Sequence, residues 1–197
     1  MTPLYGFAKT CVAPFIRLFG YKVEGKENIP PMAKMVIAAN HTSYCDPVLV
    51  GLAFPQQVHF LAKSEFSKRF FFRKLFSALG VIFINRDEAD ISALRKALAV
   101  LKEEKSLGIF PEGRRFKDGG LTDFKQGPAF IAYKGHAAVV PVGLINASGL
   151  FKFWQRRVII RIGKPIIIDD EGGTLKTHEI MDKYTPMIKN AIAELSV

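Results

Sequence analysis

The chain has 197 residues, 49% of them hydrophobic, with a formal net charge of +10 and a pI near 9.7. That is enough material for one domain with a sizeable core, and the charge favours a polyanionic partner: nucleic acid, an anionic membrane, a phosphorylated substrate or an acidic carrier protein. No zinc-finger spacing, RNA-recognition aromatic motif or Walker loop is present, which argues against nucleic acid, and no run reaches the ~18 uninterrupted apolar residues of a spanning helix.

The segment from Pro3 to Gly20 comes closest to such a run, but Lys9, Pro14 and Arg17 interrupt it. It lacks a basic n-region and a small-residue cleavage site, so it is not expected to be a signal peptide. Leu4, Phe7, Ala8, Cys11, Val12, Phe15, Ile16 and Phe19 recur at three- and four-residue spacing. The spacing predicts an amphipathic helix over residues 1–20, bent near Pro14. Its stripe suits either packing on the core or lying in a membrane interface, and it is wide enough for some of both.

Beyond it, residues 21–197 read as one domain. Strands are predicted over Tyr21 to Val23, Lys34 to Ala39, Val58 to Ala62, Val81 to Ile84, Leu107 to Phe110, Ala138 to Ile145, Arg157 to Ile162 and Ile166 to Ile168. Helical patterns separate many of them. The clearest runs from Asp90 to Lys105, where Ile91, Leu94, Leu98 and Leu101 form a stripe and Asp90 suits an N-cap. Thr177 to Leu195 reads as a closing helix, with Pro186 as a kink. Strands alternating with helices indicate an α/β domain with a mostly parallel sheet flanked by helices.

Between Phe66 and Phe76 lie five phenylalanines and four basic residues. A basic, aromatic-rich helix suits the headgroup boundary of a membrane; the other reading is a core helix with a solvated basic face. The stretch from Phe151 to Arg157 has the same composition and reads either as a second interfacial patch or as a turn. The two cysteines, Cys11 and Cys45, make no disulfide framework, and a reducing compartment fits best. His59, His136 and His178 have no carboxylate or cysteine at ligand spacing, so neither a metal site nor a bound cofactor is expected.

Two short segments carry chemistry. Asn40-His41-Thr42-Ser43-Tyr44-Cys45-Asp46-Pro47 follows the apolar run Met35 to Ala39, and Phe110-Pro111-Glu112-Gly113-Arg114-Arg115 follows the apolar run that begins at Leu107. Open α/β sheets bind ligands at the carboxyl ends of their strands. A histidine titrates near working pH and suits a general base. Asp46 could hydrogen-bond its other ring nitrogen, or simply be an N-cap followed by proline at the first helical position.

In order and spacing these residues resemble the glycerolipid acyltransferases, the family of 1-acylglycerol-3-phosphate (lysophosphatidic acid) acyltransferase. His41 and Asp46 match the family's His-x4-Asp motif. The run Gly80-Val81-Ile82-Phe83-Ile84-Asn85-Arg86 matches its second motif, Phe110 to Arg115 its Phe-Pro-Glu-Gly-Thr-Arg, and Val139-Val140-Pro141-Val142-Gly143 its proline-bearing strand. Lys63 and the run Phe124-Lys125-Gln126-Gly127 fit as well, so the resemblance extends from about residue 21 to residue 165. Arg114 stands where the family usually has threonine, which leaves the acceptor open.

The resemblance implies a membrane-associated O-acyltransferase, peripheral or monotopic on the cytoplasmic face of the cell membrane. A fatty acyl group would pass from acyl-CoA or acyl carrier protein to the sn-2 hydroxyl of lysophosphatidic acid, giving phosphatidic acid. His41 would be the base and Asp46 its partner. Lys63, Arg86, Glu112, Gly113, Arg114, Arg115 and Lys125 would bind substrate, with the cations on phosphate. Glu112 would hold either the glycerol part of the acceptor or a loop arginine. No acyl-enzyme is expected, and Cys45 reads as a small buried residue. Two rival readings are an acyltransferase for another lysolipid acceptor and a non-catalytic membrane-binding protein with the same fold.

Overall fold

Short runs rich in Val and Ile, bounded by glycine and proline, build the central sheet. The structure, a computed structural model, describes residues 1–18, 20–63, 70–84, 91–113, 124–149, 157–170 and 172–197. Seven strands form one sheet: β1 (Lys22–Glu24), β2 (Met35–Ala39), β3 (Val58–Lys63), β4 (Val81–Ile84), β5 (Ser106–Ile109), β6 (Ala138–Ile145) and β7 (Ile159–Ile162). Their spatial order is β1-β7-β6-β2-β5-β3-β4. The five strands from β6 to β4 are mutually parallel. Strand β7 runs antiparallel to β6, and β1 lies parallel to β7.

Helices cover both faces, as a parallel sheet requires. They are α1 (Pro3–Leu18), α2 (Asp46–Ala53), α3 (Phe70–Ala78), α4 (Ile91–Lys102), α5 (Gly127–Gly135) and α6 (Thr177–Leu195). Alternation along β2 sorts the core into two halves. Met35, Ile37 and Ala39 pack with Ile16, Leu49, Val50 and Phe54 from α1, α2 and the turn after α2. Val36 and Ala38 pack with Leu101, Ala129, Ile180 and Ile188 from α4, α5 and α6. The expected α/β domain, its mostly parallel sheet and its N-terminal helix are therefore present. Pro14 and Pro186 both lie inside continuous helices.

One expected strand is corrected. Ile166 to Ile168 makes only an isolated bridge, in which the amides of Val139 and Ile166 donate to each other's carbonyls at 2.9 and 2.7 Å. Pro165 before it brings no N–H, and Ile167 is exposed. Asp90, the expected N-cap of α4, lies outside the described residues, as does most of 151–157. In the phenylalanine-rich stretch the backbone is helical from Phe70 onward.

Candidate active site

The two motif segments meet where their parent strands end. Parallel pairing of β2 with β5 places Ala38 beside Ile109, so the chain leaves both strands on the same side of the sheet. Buried Asn40 continues the β2 ladder with its side chain. Its Nδ2 donates to the Leu144 carbonyl at 3.0 Å, and its Oδ1 accepts from the Leu144 amide at 2.7 Å. A carboxamide imitates a peptide group here, so β6 keeps its hydrogen bonds while the main chain turns away.

That turn presents His41. Its Nδ1 lies 2.8 Å from Asp46 Oδ2, and the same oxygen accepts from the backbone amides of Thr42 (2.6 Å) and Ser43 (2.7 Å). Asp46 is fully buried. It is the first residue of α2 rather than its N-cap, which is Cys45; its carboxylate serves the loop upstream and leaves its own helix uncapped. Asp46 is therefore not a simple cap: its carboxylate bonds His41 and two loop amides instead of its own helix. One face of the His41 ring is stacked on Phe110 at 4.1 Å between centroids, and Phe110 is in turn 5.8 Å from Phe60. The sequence places Phe110 in a motif and Phe60 in a strand but assigns neither ring a part in the site, although the aromatic residue just before Pro111 was a usable signal.

Glu112 comes to the same loop from β5. It is buried, and its Oε1 accepts from the His41 backbone amide at 3.3 Å. Burial pushes its carboxyl up to about 7; the His41 amide opposes this and the nearby Asp46 carboxylate adds to it. Among the described residues, Glu112 Oε2, Asp46 Oδ1, Thr42 Oγ1 and, on α6, Thr185 Oγ1 are buried without a protein partner. The first three belong to the histidine loop and the carboxyl that meets it, where a polar ligand can complete their hydrogen bonding.

Gly113 has a positive φ of 65°. A β-carbon there would lie 3.3 Å from Lys125 Cε and 3.4 Å from its Nζ, so glycine lets the Lys125 side chain cross it. Lys125 is exposed, and its amide donates to the Pro111 carbonyl at 3.1 Å. Lys63 closes β3, paired in register with Ile84 at the end of β4. Arg86, two residues further along, lies outside the described residues, as do Arg114 and Arg115. Cys45 is half-buried, and burial pushes its thiol up; a thiol held protonated is a poor nucleophile.

Beside this loop opens an apolar cavity of about 310 Å³. Tyr44, Pro47 and Val48 form its wall near the histidine loop, Tyr5, Ala8 and Val12 of α1 a second wall, and Phe60 and Phe83 part of the sheet wall. Tyr44 and Val48 are exposed at its edge. The arrangement can hold a polar headgroup near His41 and an aliphatic chain next to it.

The Acyltransferase family model matches residues 20–145. A 1-acyl-sn-glycerol-3-phosphate acyltransferase of Borreliella burgdorferi is 34% identical over 81% of this chain; the chain spans 64% of that relative's length. The protein of the same description from Bacillus subtilis is 29% identical, over 98% of this chain and 96% of its own. The crystal structure of the 1-acyl-sn-glycerophosphate (LPA) acyltransferase PlsC from Thermotoga maritima matches with a TM-score of 0.68 at 28% identity, covering 96% of this chain and 82% of that one.

Proposed function

The chain belongs to the acyltransferase family, and from that premise we propose that it moves a fatty acyl group from acyl-CoA or acyl carrier protein to the sn-2 hydroxyl of lysophosphatidic acid. The observation that carries the reading is the His41–Asp46 pair at the carboxyl end of β2, with Asp46 buried and held by two backbone amides. With Nδ1 donating to Asp46, Nε2 is left as the base. It takes the proton of the acceptor hydroxyl as that oxygen attacks the thioester carbonyl. The tetrahedral intermediate collapses, the carbon–sulfur bond breaks, and the imidazolium returns the proton to the leaving thiolate. Phosphatidic acid and the free thiol carrier are the products.

In this reading the acyl chain uses the apolar cavity, and the acceptor phosphate meets cations from Lys63, Arg86, Arg114, Arg115 and Lys125, while Glu112 and Gly113 shape the floor beneath the acceptor. Residues 1–20 form an interfacial segment and 21–197 the acyltransferase domain. No helix among the described residues is long and apolar enough to cross a membrane. Peripheral or monotopic attachment, in this reading on the cytoplasmic face, draws its support from the exposed Leu4, Phe7 and Leu18 of α1, which suit a membrane interface. Arg86→Ala is expected to raise the acceptor KM more than the donor KM; an unchanged acceptor KM removes its phosphate role.

The deciding experiment is acyl transfer by purified protein, with acyl-CoA and acyl carrier protein supplied separately and His41→Ala as control. Phosphatidic acid from the wild type alone supports donor, acceptor and base together. Product only with other lysolipids moves the acceptor. No transfer to any lysolipid, with vesicle binding intact, overturns the catalytic reading in favour of a membrane-binding role.

A further inference from the structure

Helix α2 starts at Asp46, and its opposite end is held by the N-terminal segment. Tyr5 Oη donates to the Gly51 carbonyl at 3.2 Å and accepts from the Val58 amide at 3.4 Å. Lys9 Nζ donates to the Phe54 carbonyl and lies 3.4 Å from that of Pro55. Nearer the middle of the helix, Tyr21, after the N-terminal segment, donates from Oη to the Leu49 carbonyl at 2.9 Å. Gly51 is one of the last helical carbonyls, which have no partner within the helix; Phe54 is the extended residue that caps α2 and Pro55 follows it, so Lys9 holds the chain just past the last turn, where a cation also complements the helix dipole.

The fit is specific. A β-carbon on Gly51 would lie 2.9 Å from Tyr5 Oη, so this phenol reaches the helix backbone only past a glycine. Lys9 is half-buried, and burial followed by repulsion from Lys26 pushes its pKa down. An ammonium withdrawn from water needs compensation, and the Phe54 and Pro55 carbonyls just past α2 supply it. Lys9 and Tyr5 sit on the inner face of α1, whereas Leu4, Phe7, Phe15 and Leu18 on the same helix are exposed.

We propose that Lys9, with Tyr5, is a positioning residue for the His41–Asp46 pair, fixing the far end of α2 to α1 so that the helix facing the lipid also sets the place of Asp46. The proposal rests on the reading of those two residues as base and partner. Asp46 Oδ2 gathers its three contacts within 2.6 to 2.8 Å. A short helix moves as one body, so slack at Phe54 reaches Asp46, where hydrogen-bond geometry tolerates little displacement.

The test is histidine-selective ¹⁵N NMR on the full chain, with steady-state kinetics beside it. His41→Ala identifies the Nδ1–H resonance shared with Asp46. In Lys9→Met that resonance is expected to broaden or vanish and kcat to fall about tenfold, with acceptor KM and vesicle binding unchanged; Lys9→Arg restores both. Tyr5→Phe, which keeps its ring, shows the same change in weaker form and decides the matter if Lys9→Met does not fold. Lys9 and Tyr5 also line the apolar cavity, so an unchanged resonance and kcat in both variants overturns the proposal, as does a change confined to the donor KM, which would leave Lys9 nothing beyond that lining. The resonance is read whether or not the wild type acylates lysophosphatidic acid, so failure of the parent reading is seen separately.

Discussion

Asp46 and Glu112 are two buried carboxyl groups on either side of one histidine, and their surroundings assign them different tasks. One oxygen of Asp46 is saturated by donors, whereas Glu112 has a single amide at 3.3 Å. Asp46→Asn should keep the fold but disturb the tautomer of His41, with kcat falling on the order of 10⁴-fold; an undiminished kcat would remove the pair from the chemistry. For Glu112 the sign follows from linkage. Its folded value is raised from 4.5 to about 7, so between those values the native state holds a proton that the unfolded chain has lost. The stabilisation is complete below about pH 4.5 and is lost as pH rises through about 7. Glu112→Gln should therefore match the wild type in thermal midpoint near pH 4.5 and exceed it at pH 8. Equal midpoints at both would mean the carboxylate is compensated when ionised. The pair was legible only through the resemblance of several motifs in order, since His-x4-Asp after a buried run alone left Asp46 equally suited to an N-cap. The partner of the His41 amide was not, since the contact joins residues far apart in sequence and depends on which strands are neighbours.

At the level of elements, the site is held by what the sheet leaves out. A β-carbon on Gly108 would lie 2.2 Å from the Phe60 ring; the bare backbone of β5 lets Phe60 lie flat over it and continue the stack through Phe110 to His41. Gly108→Ala should push this stack outward. Overpacking of this kind costs about 1–3 kcal/mol, and kcat should drop together with the thermal midpoint. A stable protein with full activity would show that the rings are not what orients the imidazole. Most elements could be read from the sequence because buried parallel strands are continuous apolar runs. Ala138–Ile145 and Val81–Ile84 match to the residue, as does Thr177–Leu195. Ile166 to Ile168 could not, because its composition is that of a strand while its hydrogen bonding is set by Pro165 before it and by the turn after it, where the Gly173 and Thr174 amides donate to the Asp170 carbonyl. Likewise the width of the stripe on α1 was visible, but not its division into an inner face against α2 and an outer face of exposed Leu4, Phe7, Phe15 and Leu18.

Over the whole molecule, two forces bear on a lipid surface, and they respond differently to salt. The net charge of +10 acts at long range and is screened within about 10 Å at 0.1 M salt and 3 Å at 1 M. The outer face of α1 acts on contact, by removing apolar area from water, and is not weakened by salt. Binding to vesicles of anionic lipid should therefore fall steeply as salt rises and then level off at a floor. The slope belongs to the charge and the floor to α1. Phe7→Ser with Leu18→Ser should lower the floor by on the order of tenfold per residue, given ~1.5–3 kcal/mol for full burial of such side chains and only partial burial here, and should leave the slope alone. Both side chains point away from the core, at 70% and 81% exposure, so the fold should survive, as circular dichroism would show. Binding measured across a salt series separates the terms. A double variant indistinguishable from the wild type at high salt would detach α1 from the membrane, and with it the link from lipid through Lys9 and α2 to Asp46. A flat salt profile would instead remove the charge from the account and leave the helix alone to hold the enzyme at its substrate.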